Sequence, residues 1–559
     1  MLDLPAINTL TIDGIPVYWA DGPPPLRASL AVRVGRADEP LHRSGITHLT
    51  EHLALWPLRQ SAYSFNGATG LGRTYFYAAG SPAEIVEFLG SVASTLGALP
   101  VDRLEVERKV LLNEEQNRKT GVLDQHLNLR YGAQGFGKGA YREFALLGAP
   151  ADEIQAWSHR WFTAQNAALW ISGPPPADLR LPLRQGDRRL QPDPVPLADI
   201  QFPCLAALVG QGASVSMTTT RSVAASMVMR VAQRRATEKL RYDDGLVYAV
   251  NSSYEPISPH VALLGIWCEV PDDKTIEVAA ALHQVLERLA TDGPTEEELA
   301  RCVDEAKRAM EQPEAILGML NRALLDELDE QEFWSPARTV DEMGAVTREA
   351  AARALRDASV SALYIAPGSI DGPLADMARY PMFSRSAVAG SLLRHRQRKA
   401  FRQPPTMVAG EEGLTLAVAP GKDSTVRFSD VAVCLRHPGG RHLIGADAFR
   451  VVVNPTEWER GESLLPLVDH HVAPELMIDV DRSQPMPTAV NVPAGAAPQR
   501  PPMSASRRLT TVLVVVAVFG ALTSMLTRDT PGGGVSIGST LCLIFAMITV
   551  RVIYSLIRG

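Results

Sequence analysis

"GITHLTEHLALWP", residues 45–57, contains His48, Glu51 and His52 within five positions. On a helix, positions i, i+3 and i+4 share one face, so the two imidazoles would point at one place with the carboxylate beside them. Two neutral histidine nitrogens suit zinc, and a catalytic zinc usually takes a third protein ligand. The alternative is a polar helix face with two solvated histidines. Because the chain has 12 histidines, the motif alone is a moderate signal.

A third ligand is available in "VERKVLLNEEQNR", which follows at residues 106–118 and reads as a helix. Glu107 and Glu114 are seven positions apart and face the same way, whereas Glu115 is turned by about 100°. The alternative is an ordinary acidic helix surface. The spacing therefore favours Glu114 over Glu115 as the metal ligand.

Length and composition bound the function. A chain of 559 residues predicts three or four units, and 46% hydrophobic residues can build large cores. The net charge of -7 is far from the basic balance of a nucleic-acid binder, so we expect no nucleic-acid partner. The five cysteines form no C-x-x-C pair, and the N-terminus lacks the pattern of a secretory signal. These features fit a reducing compartment.

The C-terminus has a different composition. Residues 509–527 are 19 residues without a charge, about 28 Å as a helix at ~1.5 Å per residue. A turn, "RDTPGGG", and a second apolar run at 535–557 follow. We predict a transmembrane hairpin over 507–558 that contacts membrane lipid, joined by a disordered tether over 483–506. A buried core hairpin is the alternative.

Charged residues beside the two apolar runs predict their orientation. Arg528 lies in the loop between the runs, whereas five arginines flank them, namely Arg500, Arg507, Arg508, Arg551 and Arg558. The positive-inside bias places both flanks in the cytoplasm. We therefore expect a multi-pass plasma-membrane protein whose large N-terminal part faces the cytoplasm.

The rest of the chain divides at proline-rich or basic stretches. Short β runs alternate with helical patterns over 1–180 and 195–385, which predicts two α+β domains joined by a linker at 173–196. A second break is predicted near 391–405. Residues 406–482 contain short alternating runs, which predict a small β domain faintly similar to pleckstrin-homology-like modules.

Several motifs occur in the order found in one known family. The series begins with an apolar strand, then the motif "GITHLTEH", a strand pair and "ERKVLLNEEQ". It continues with "WFTAQNAALWISG", residues 161–173, and with "SMVMRVAQRRATEKLRYDDGLVYAVNSSY". "EELARCVDEAKRAM" then resembles the helix that comes next. Residues 1 to about 385 thus resemble the pitrilysin, insulinase and mitochondrial-processing-peptidase (M16) family of inverted-motif zinc peptidases. The resemblance implies two tandem α/β sandwich domains, of which the second lacks a metal site.

The resemblance also implies residue roles. His48, His52 and Glu114 match the family's zinc ligands, and Glu51 matches its general base. The remaining matches support the reaction: Glu107 is the carboxylate behind the zinc site, and Arg241 and Tyr248 bind the substrate backbone and the developing oxyanion. Glu51, Glu107 and Tyr248 are therefore the expected catalytic residues, with Zn²⁺ as cofactor and peptide-bond hydrolysis as the reaction.

One spacing departs from the family. His52 and Glu114 are 62 residues apart, fewer than the family's usual seventy-odd, and the shortening falls around "LRQSAYSFNG" (58–67), where members carry another helix. This departure puts substrate selection near the site in doubt. For substrate binding we predict that an extended peptide adds to an edge strand, with residues 70–80 as the candidate.

Three functions are compatible with these observations. The first is a membrane-anchored zinc endopeptidase that hydrolyses peptides or unfolded segments in an enclosed chamber. The second is a catalytically inactive peptide-binding or assembly scaffold of the same fold. A metal-binding sensor at the membrane, which rests on the β domain and the basic run at 394–402, is the third. Because family chambers use four α+β domains and this chain supplies two, we expect a homodimer.

Overall fold

The apolar runs in the first 180 residues form one mixed six-stranded sheet. The protein is described by a computed structural model that covers residues 6–481, apart from 119, 209–211, 367–373, 376, 398–400 and 402. The strands are β1 (Asn8–Ile12), β2 (Ile15–Trp19), β3 (Leu26–Val32), β4 (Ser64–Thr69), β5 (Thr74–Gly80) and β6 (Ala167–Ile171). Their order is β1-β2-β6-β3-β5-β4, and β2 and β6 are the parallel pair.

Five helices belong to this part of the chain: α1 (Ile46–Leu55), α2 (Pro82–Gly97), α3 (Leu104–Asn117), α4 (Val122–Tyr131) and α5 (Ala151–Trp161). Side chains of α1, α2 and α5 pack with one face of the sheet in a common apolar core. Because apolar residues of α2 recur on one side, its buried residues Ile85, Phe88, Leu89 and Val92 meet the strands.

The second domain repeats the strand order of the first. Its strands are β7 (Cys204–Ala207), β8 (Ala213–Thr220), β9 (Val250–Pro256), β10 (Val261–Cys268), β11 (Leu363–Ala366) and β12 (Ala378–Arg379). Their order is β12-β7-β11-β8-β10-β9, again with a parallel pair, β7 and β11. The edge strand β12 differs from β1, since it runs parallel to its neighbour. The two domains are therefore an internal structural repeat.

The helices of the second domain are α6 (Val223–Thr237), α7 (Thr275–Asp292), α8 (Glu296–Met310), α9 (Ala315–Leu328), α10 (Pro336–Gly344) and α11 (Arg348–Ser359). Residues of α6, α7, α8 and α11 form the core of this domain with the sheet. The predicted α+β class is confirmed, and the segment "EELARCVDEAKRAM", which resembles a family helix, lies in α8.

The two domains exchange helices. Leu324 and Leu328 of α9 pack against Ala31 and Ala168 on the sheet of the first domain. In return, α4 packs on the second sheet, where the buried Arg130 donates hydrogen bonds to Ser216 and to the Ser361 carbonyl. Each sheet is thus covered on one face by a helix of the other domain.

A third domain follows with two four-stranded sheets. Its strands are β13 (Ser391–Arg394), β14 (Thr406–Gly410), β15 (Gly413–Ala417), β16 (Asp423–Arg427), β17 (Val431–His437), β18 (Gly440–Gly445), β19 (Arg450–Val453) and β20 (Met477–Asp479). The orders are β13-β14-β15-β16 and β19-β18-β17-β20, and helix α12 (Leu464–His471) packs on their common core around Trp458.

Two predicted breaks are structured. Residues 391–394, expected in a break, form β13 and pair with β14. In the expected linker 173–196, Leu179, Leu181 and Leu183 are buried in the core of the first domain. Both stretches are rich in proline or charge, but their apolar residues still find a packed surface.

Within residues 6–481, no single described helix is long and apolar enough to cross a membrane. Pro82–Gly97 and Val101–Asn117, which meet at 86°, pass the length and composition test only as a bent pair. The predicted tether at 483–506 and hairpin at 507–558 lie outside the described residues.

Candidate metal centre

Helix α1 is fixed at its start and along one face. Ile46, Leu49 and Leu53 recur at helical spacing and are buried against a neighbouring core. At the first turn, the buried Glu39 carboxylate accepts hydrogen bonds from the backbone N–H groups of Gly45 (2.8 Å) and Thr47 (2.9 Å). A carboxylate here satisfies helix N–H groups that would otherwise lack partners. These contacts fix the position of the first turn and of one face of the motif helix.

Each histidine of the motif forms a hydrogen bond to a carboxylate through its Nδ1 atom. His48 Nδ1 lies 3.1 Å from Glu143 Oε2, and His52 Nδ1 lies 3.0 Å from Glu107 Oε2. Since an ionised carboxylate can only accept, each Nδ1 carries the proton and donates it. In the neutral imidazoles, both Nε2 atoms are then left as electron-pair donors, which is the tautomer that a metal ligand needs.

Glu114 completes a three-residue cluster. Its two carboxylate oxygens each lie 3.9 Å from an Nε2 atom, Oε1 from that of His48 and Oε2 from that of His52. Ligand atoms of the three residues all lie within 4.8 Å of one another. The Glu114 side chain is 57% exposed, so the cluster opens to solvent on this side. Two imidazole nitrogens and one carboxylate are a donor set that fits a catalytic zinc ion.

The charge around the cluster also fits a cation. Burial alone would raise the pKa of Glu143, but its hydrogen bond and charge contact with His48 and the nearby Arg118 lower that pKa to about 2. Burial acts to lower the pKa of His48, yet Glu143, Glu51 and Glu114 outweigh it and raise that pKa. These carboxylates therefore favour positive charge at the His48 imidazole, whether a proton or a metal ion supplies it.

Glu51 lies beside the cluster and is held by strand β4. Its Oε2 atom accepts a hydrogen bond from the Thr69 hydroxyl at 2.8 Å. A Cβ atom on residue 67 would overlap the Glu51 carboxylate, so Gly67 permits this close approach. Burial raises the pKa of Glu51, while His48 and Thr69 partly oppose the rise. A buried carboxylate with a raised pKa is suited to accepting and returning a proton.

The edge strand of the first sheet is not the predicted one. Residues 70–80 were expected at the edge, but they contain β5, which pairs with β3 on one side and β4 on the other. The edge strand next to β5 is β4, residues Ser64–Thr69, the strand that contacts Glu51, and β1 forms the opposite edge. Sequence patterning could not distinguish these two neighbouring strands, because both alternate in burial.

Arg241 and Tyr248 form a pair in the second domain. The Arg241 guanidinium lies 5.2 Å from the centroid of the Tyr248 ring, and an equal distance from that of Tyr242. Arg241 lies in a short π-helix, Glu238–Asp243, and the Tyr248 side chain is 72% exposed. The two expected substrate-binding residues are thus adjacent to each other and accessible.

Several residues that support the site have no sequence signal. Glu143 lies in a loop 95 residues from His48, and its backbone N–H donates to Glu115 Oε1 at 2.5 Å. Arg118 donates to Glu143 Oε1 at 2.6 Å. Glu115, which was expected to point away from the metal, therefore supports the loop that carries Glu143. These contacts arise only when the loop after α4 packs beside α1 and α3.

The shortened connection after His52 leaves the site intact. Helix α1 ends at Leu55, one short turn at Trp56–Leu58 follows, and β4 begins at Ser64. The chain therefore passes directly from the motif helix to the edge strand, and residues 58–67 form no additional helix.

Removing the charge of Glu143 tests its support of His48. Glu143→Gln is expected to weaken zinc binding by about 10–100-fold, because the amide no longer anchors the Nδ1 proton as strongly. Competition with a chromogenic chelator measures the affinity. Glu153→Gln, which removes an Arg43 partner away from the cluster, is the matched control. Equal affinities for both variants would contradict this role.

Comparison with known proteins places the fold. Residues 205–305, all of which belong to the second domain, match the family described as Peptidase M16 inactive domain. No curated protein matches the chain in sequence.

Solved structures match over a larger part of the chain. A protease from Helicobacter pylori has a TM-score of 0.53 at 15% identity, covering 65% of this chain and 100% of that one. A peptidase M16 inactive domain from Pseudomonas fluorescens has a TM-score of 0.53 at 13% identity, covering 66% and 100%. The periplasmic protease PqqL from Escherichia coli also has a TM-score of 0.53, at 13% identity, covering 74% and 55%.

At these identities the structural matches show the fold alone. The chain has a mixed α+β fold similar to that of M16 domains, as the resemblance implied. The family match falls on the domain without the metal motif, so it carries no information about His48, Glu51, His52 or Glu114.

Proposed function

We propose that this chain is a membrane-anchored, zinc-dependent endopeptidase that hydrolyses peptides or unfolded segments in an enclosed chamber. The observation that carries the proposal is the convergence of His48, His52 and Glu114, with each imidazole on its own carboxylate. A structural role for two half-buried histidines would not require such paired supports.

Different residues have different roles in the proposed hydrolysis. His48, His52 and Glu114 would hold the zinc ion, and Glu107 and Glu143 would orient the imidazoles. When bound, zinc supplies a Lewis acid for the scissile carbonyl and the attacking water. Glu51 accepts a proton from that water and returns it to the leaving amine. Tyr248 donates a hydrogen bond to the developing oxyanion, and Arg241 binds the peptide backbone.

We place the substrate along the free edge of β4. An extended peptide can pair with the backbone of an edge strand, which gives affinity with little dependence on side chains. Glu51 approaches β4 at Gly67 and Thr69, so a peptide paired there would pass the proposed base. This placement replaces the strand 70–80 expected from sequence.

An inactive scaffold is the second candidate, and the family match leaves it open, since that match covers only residues of the domain without the metal motif. The two functions differ in one measurement. The purified full-length chain is loaded with zinc and digested against a peptide library, with mass spectrometry of the products. We expect cleavage that a zinc chelator abolishes; peptide binding without cleavage would support the scaffold.

The anchor is a separate part of the proposal. Truncation near residue 500 removes both apolar runs and is expected to give a soluble, folded peptidase. In intact cells, a protease added outside should not reach the peptidase domains, because the arginine bias places them in the cytoplasm. Immunoblotting before and after cell lysis measures this. Digestion of the peptidase domains in intact cells would contradict the predicted orientation.

A homodimer is proposed because this chain supplies two of the four domains of a chamber. Arg241 and Tyr248 of one chain would then face the zinc site of the other. Tyr248→Phe and Glu51→Gln chains, each poorly active, should partly rescue one another, because a mixed dimer has one site with both intact parts. If equal amounts of the two chains mix at random, half of the dimers are mixed and each of these has one intact site of two. The expected activity is therefore roughly one quarter of wild type.

The control for this experiment mixes Glu51→Gln chains with Glu51→Gln/Tyr248→Phe chains, which cannot build an intact site. Subunit exchange is followed by native mass spectrometry. A strictly monomeric active enzyme, or proven mixed dimers without rescue, would refute the shared site.

A further inference from the structure

A cavity of about 450 Å³ lies where three parts of the chain meet. The end of α4, the tail of the second domain at 380–383 and the third domain each contribute to its wall. Its volume is within the ~300–1,000 Å³ typical of small-molecule sites. None of the proposed metal ligands or catalytic residues lines it.

The walls combine apolar side chains with a few charged groups. Leu129, Ile200, Met382, Phe383, Val418 and Phe449 supply most of the apolar surface. An apolar lining with a small number of polar groups is the usual composition of a ligand site. The cavity can therefore accept an apolar body of moderate size.

The two cations of the wall have no acidic partner among the described residues. Lys422 Nζ lies 6.0 Å from the centroid of the Phe383 ring and forms no ion pair. The Arg450 guanidinium lies 5.1 Å from the centroid of the Tyr141 ring, and its buried Nε atom has no acceptor. A buried N–H group without an acceptor is unfavourable.

The two carboxylates of the wall, by contrast, have partners. Asp447 Oδ1 accepts a hydrogen bond from the Phe449 backbone N–H at 3.0 Å. Asp199 Oδ1 lies 3.7 Å from Arg385 Nη1. Among the four charged residues that line the cavity, the two cations, Lys422 and Arg450, thus lack an oppositely charged partner among the described residues, and an anionic ligand would supply one.

We propose that this cavity binds a small amphiphilic carboxylate. Its aromatic or aliphatic body packs against Met382, Phe383 and Phe449, and its carboxylate accepts hydrogen bonds from Arg450 and Lys422. The ligand bridges α4 and the third domain, which meet here. This site is independent of the proposed peptidase function, since it shares no residue with the metal centre.

Three probes that share a phenyl-substituted four-carbon chain and differ in the terminal functional group test the proposal: 4-phenylbutyrate, 4-phenylbutan-1-ol and 4-phenylbutylamine. Binding to the full-length chain in lipid nanodiscs is measured by calorimetry, with empty nanodiscs subtracted. We expect the acid to bind at least ~10-fold more tightly than the alcohol, because charge-assisted hydrogen bonds are the stronger ones. The amine should bind more weakly than the alcohol.

Variants locate the binding. Lys422→Met and Arg450→Met should each weaken binding of the acid by about 10-fold, and Lys422→Arg should restore it. Met382→Trp fills the cavity and should abolish binding of all three probes. Lys307→Met, which removes an exposed lysine of α8, is the matched control and should change nothing. Circular dichroism establishes that each variant is folded.

Four results would overturn the proposal. The first is absence of acid binding at millimolar concentration, and the second is equal affinity for acid and alcohol. Tighter binding of the amine would instead assign the cavity to cations. Acid binding that survives both Lys422→Met and Met382→Trp would place the site elsewhere.

Discussion

Glu51→Gln is expected to reduce peptide cleavage by at least ~100-fold, the lower end of the loss of a general base. The amide keeps the shape of the side chain and can still meet the Thr69 hydroxyl, but it cannot accept the proton of the attacking water. The metal ligands are untouched. Bound zinc and peptide affinity should therefore remain at wild-type levels while turnover falls.

This prediction is measured by single-turnover cleavage together with elemental analysis of the same sample. Glu87→Gln, at an exposed position of α2, is the matched control and should cleave normally. Unchanged cleavage by Glu51→Gln would remove the proposed mechanism. Loss of zinc in this variant would instead assign Glu51 to the metal, not to the proton.

His48→Ala and Glu114→Ala are expected to lower bound zinc from about one ion per chain to near zero. Each variant removes one of three converging ligands, and the remaining two cannot hold a catalytic zinc at micromolar concentration. The rate of peptide cleavage should fall in proportion to the bound zinc. Elemental analysis after dialysis against a weak chelator measures the stoichiometry.

Glu115→Ala should retain zinc, because Glu115 contacts the Glu143 backbone and Arg142 and not the imidazoles. Glu105→Ala, on an exposed position of α3, controls for the loss of a helix carboxylate. If Glu115→Ala removes the metal and Glu114→Ala does not, the assignment of the helix face is wrong.

Much of the candidate site could be predicted because it is local. His48, Glu51 and His52 lie within two turns of one helix, and Glu107 and Glu114 are two turns apart on another, so helical geometry alone sets their directions. The α+β class could be predicted for the same reason, since period-2 and period-3.6 patterns are properties of short stretches.

The tertiary structure decided the contacts between distant parts of the chain. Glu143 meets His48 across 95 residues, and Thr69 and Gly67 meet Glu51 because α1 packs beside β4. Which of β4 and β5 is the edge depends on the order of the whole sheet, to which both strands contribute similar patterns.

The same distinction explains the remaining features. Residues 391–394 read as a polar break, yet pairing with β14 makes them a strand, and the exchange of α4 and α9 between domains has no local signature. The cavity between α4, the second domain and the third domain exists only because their surfaces meet. Periodicity along one element determines which face is apolar, but which surface covers that face depends on the packing of the whole chain.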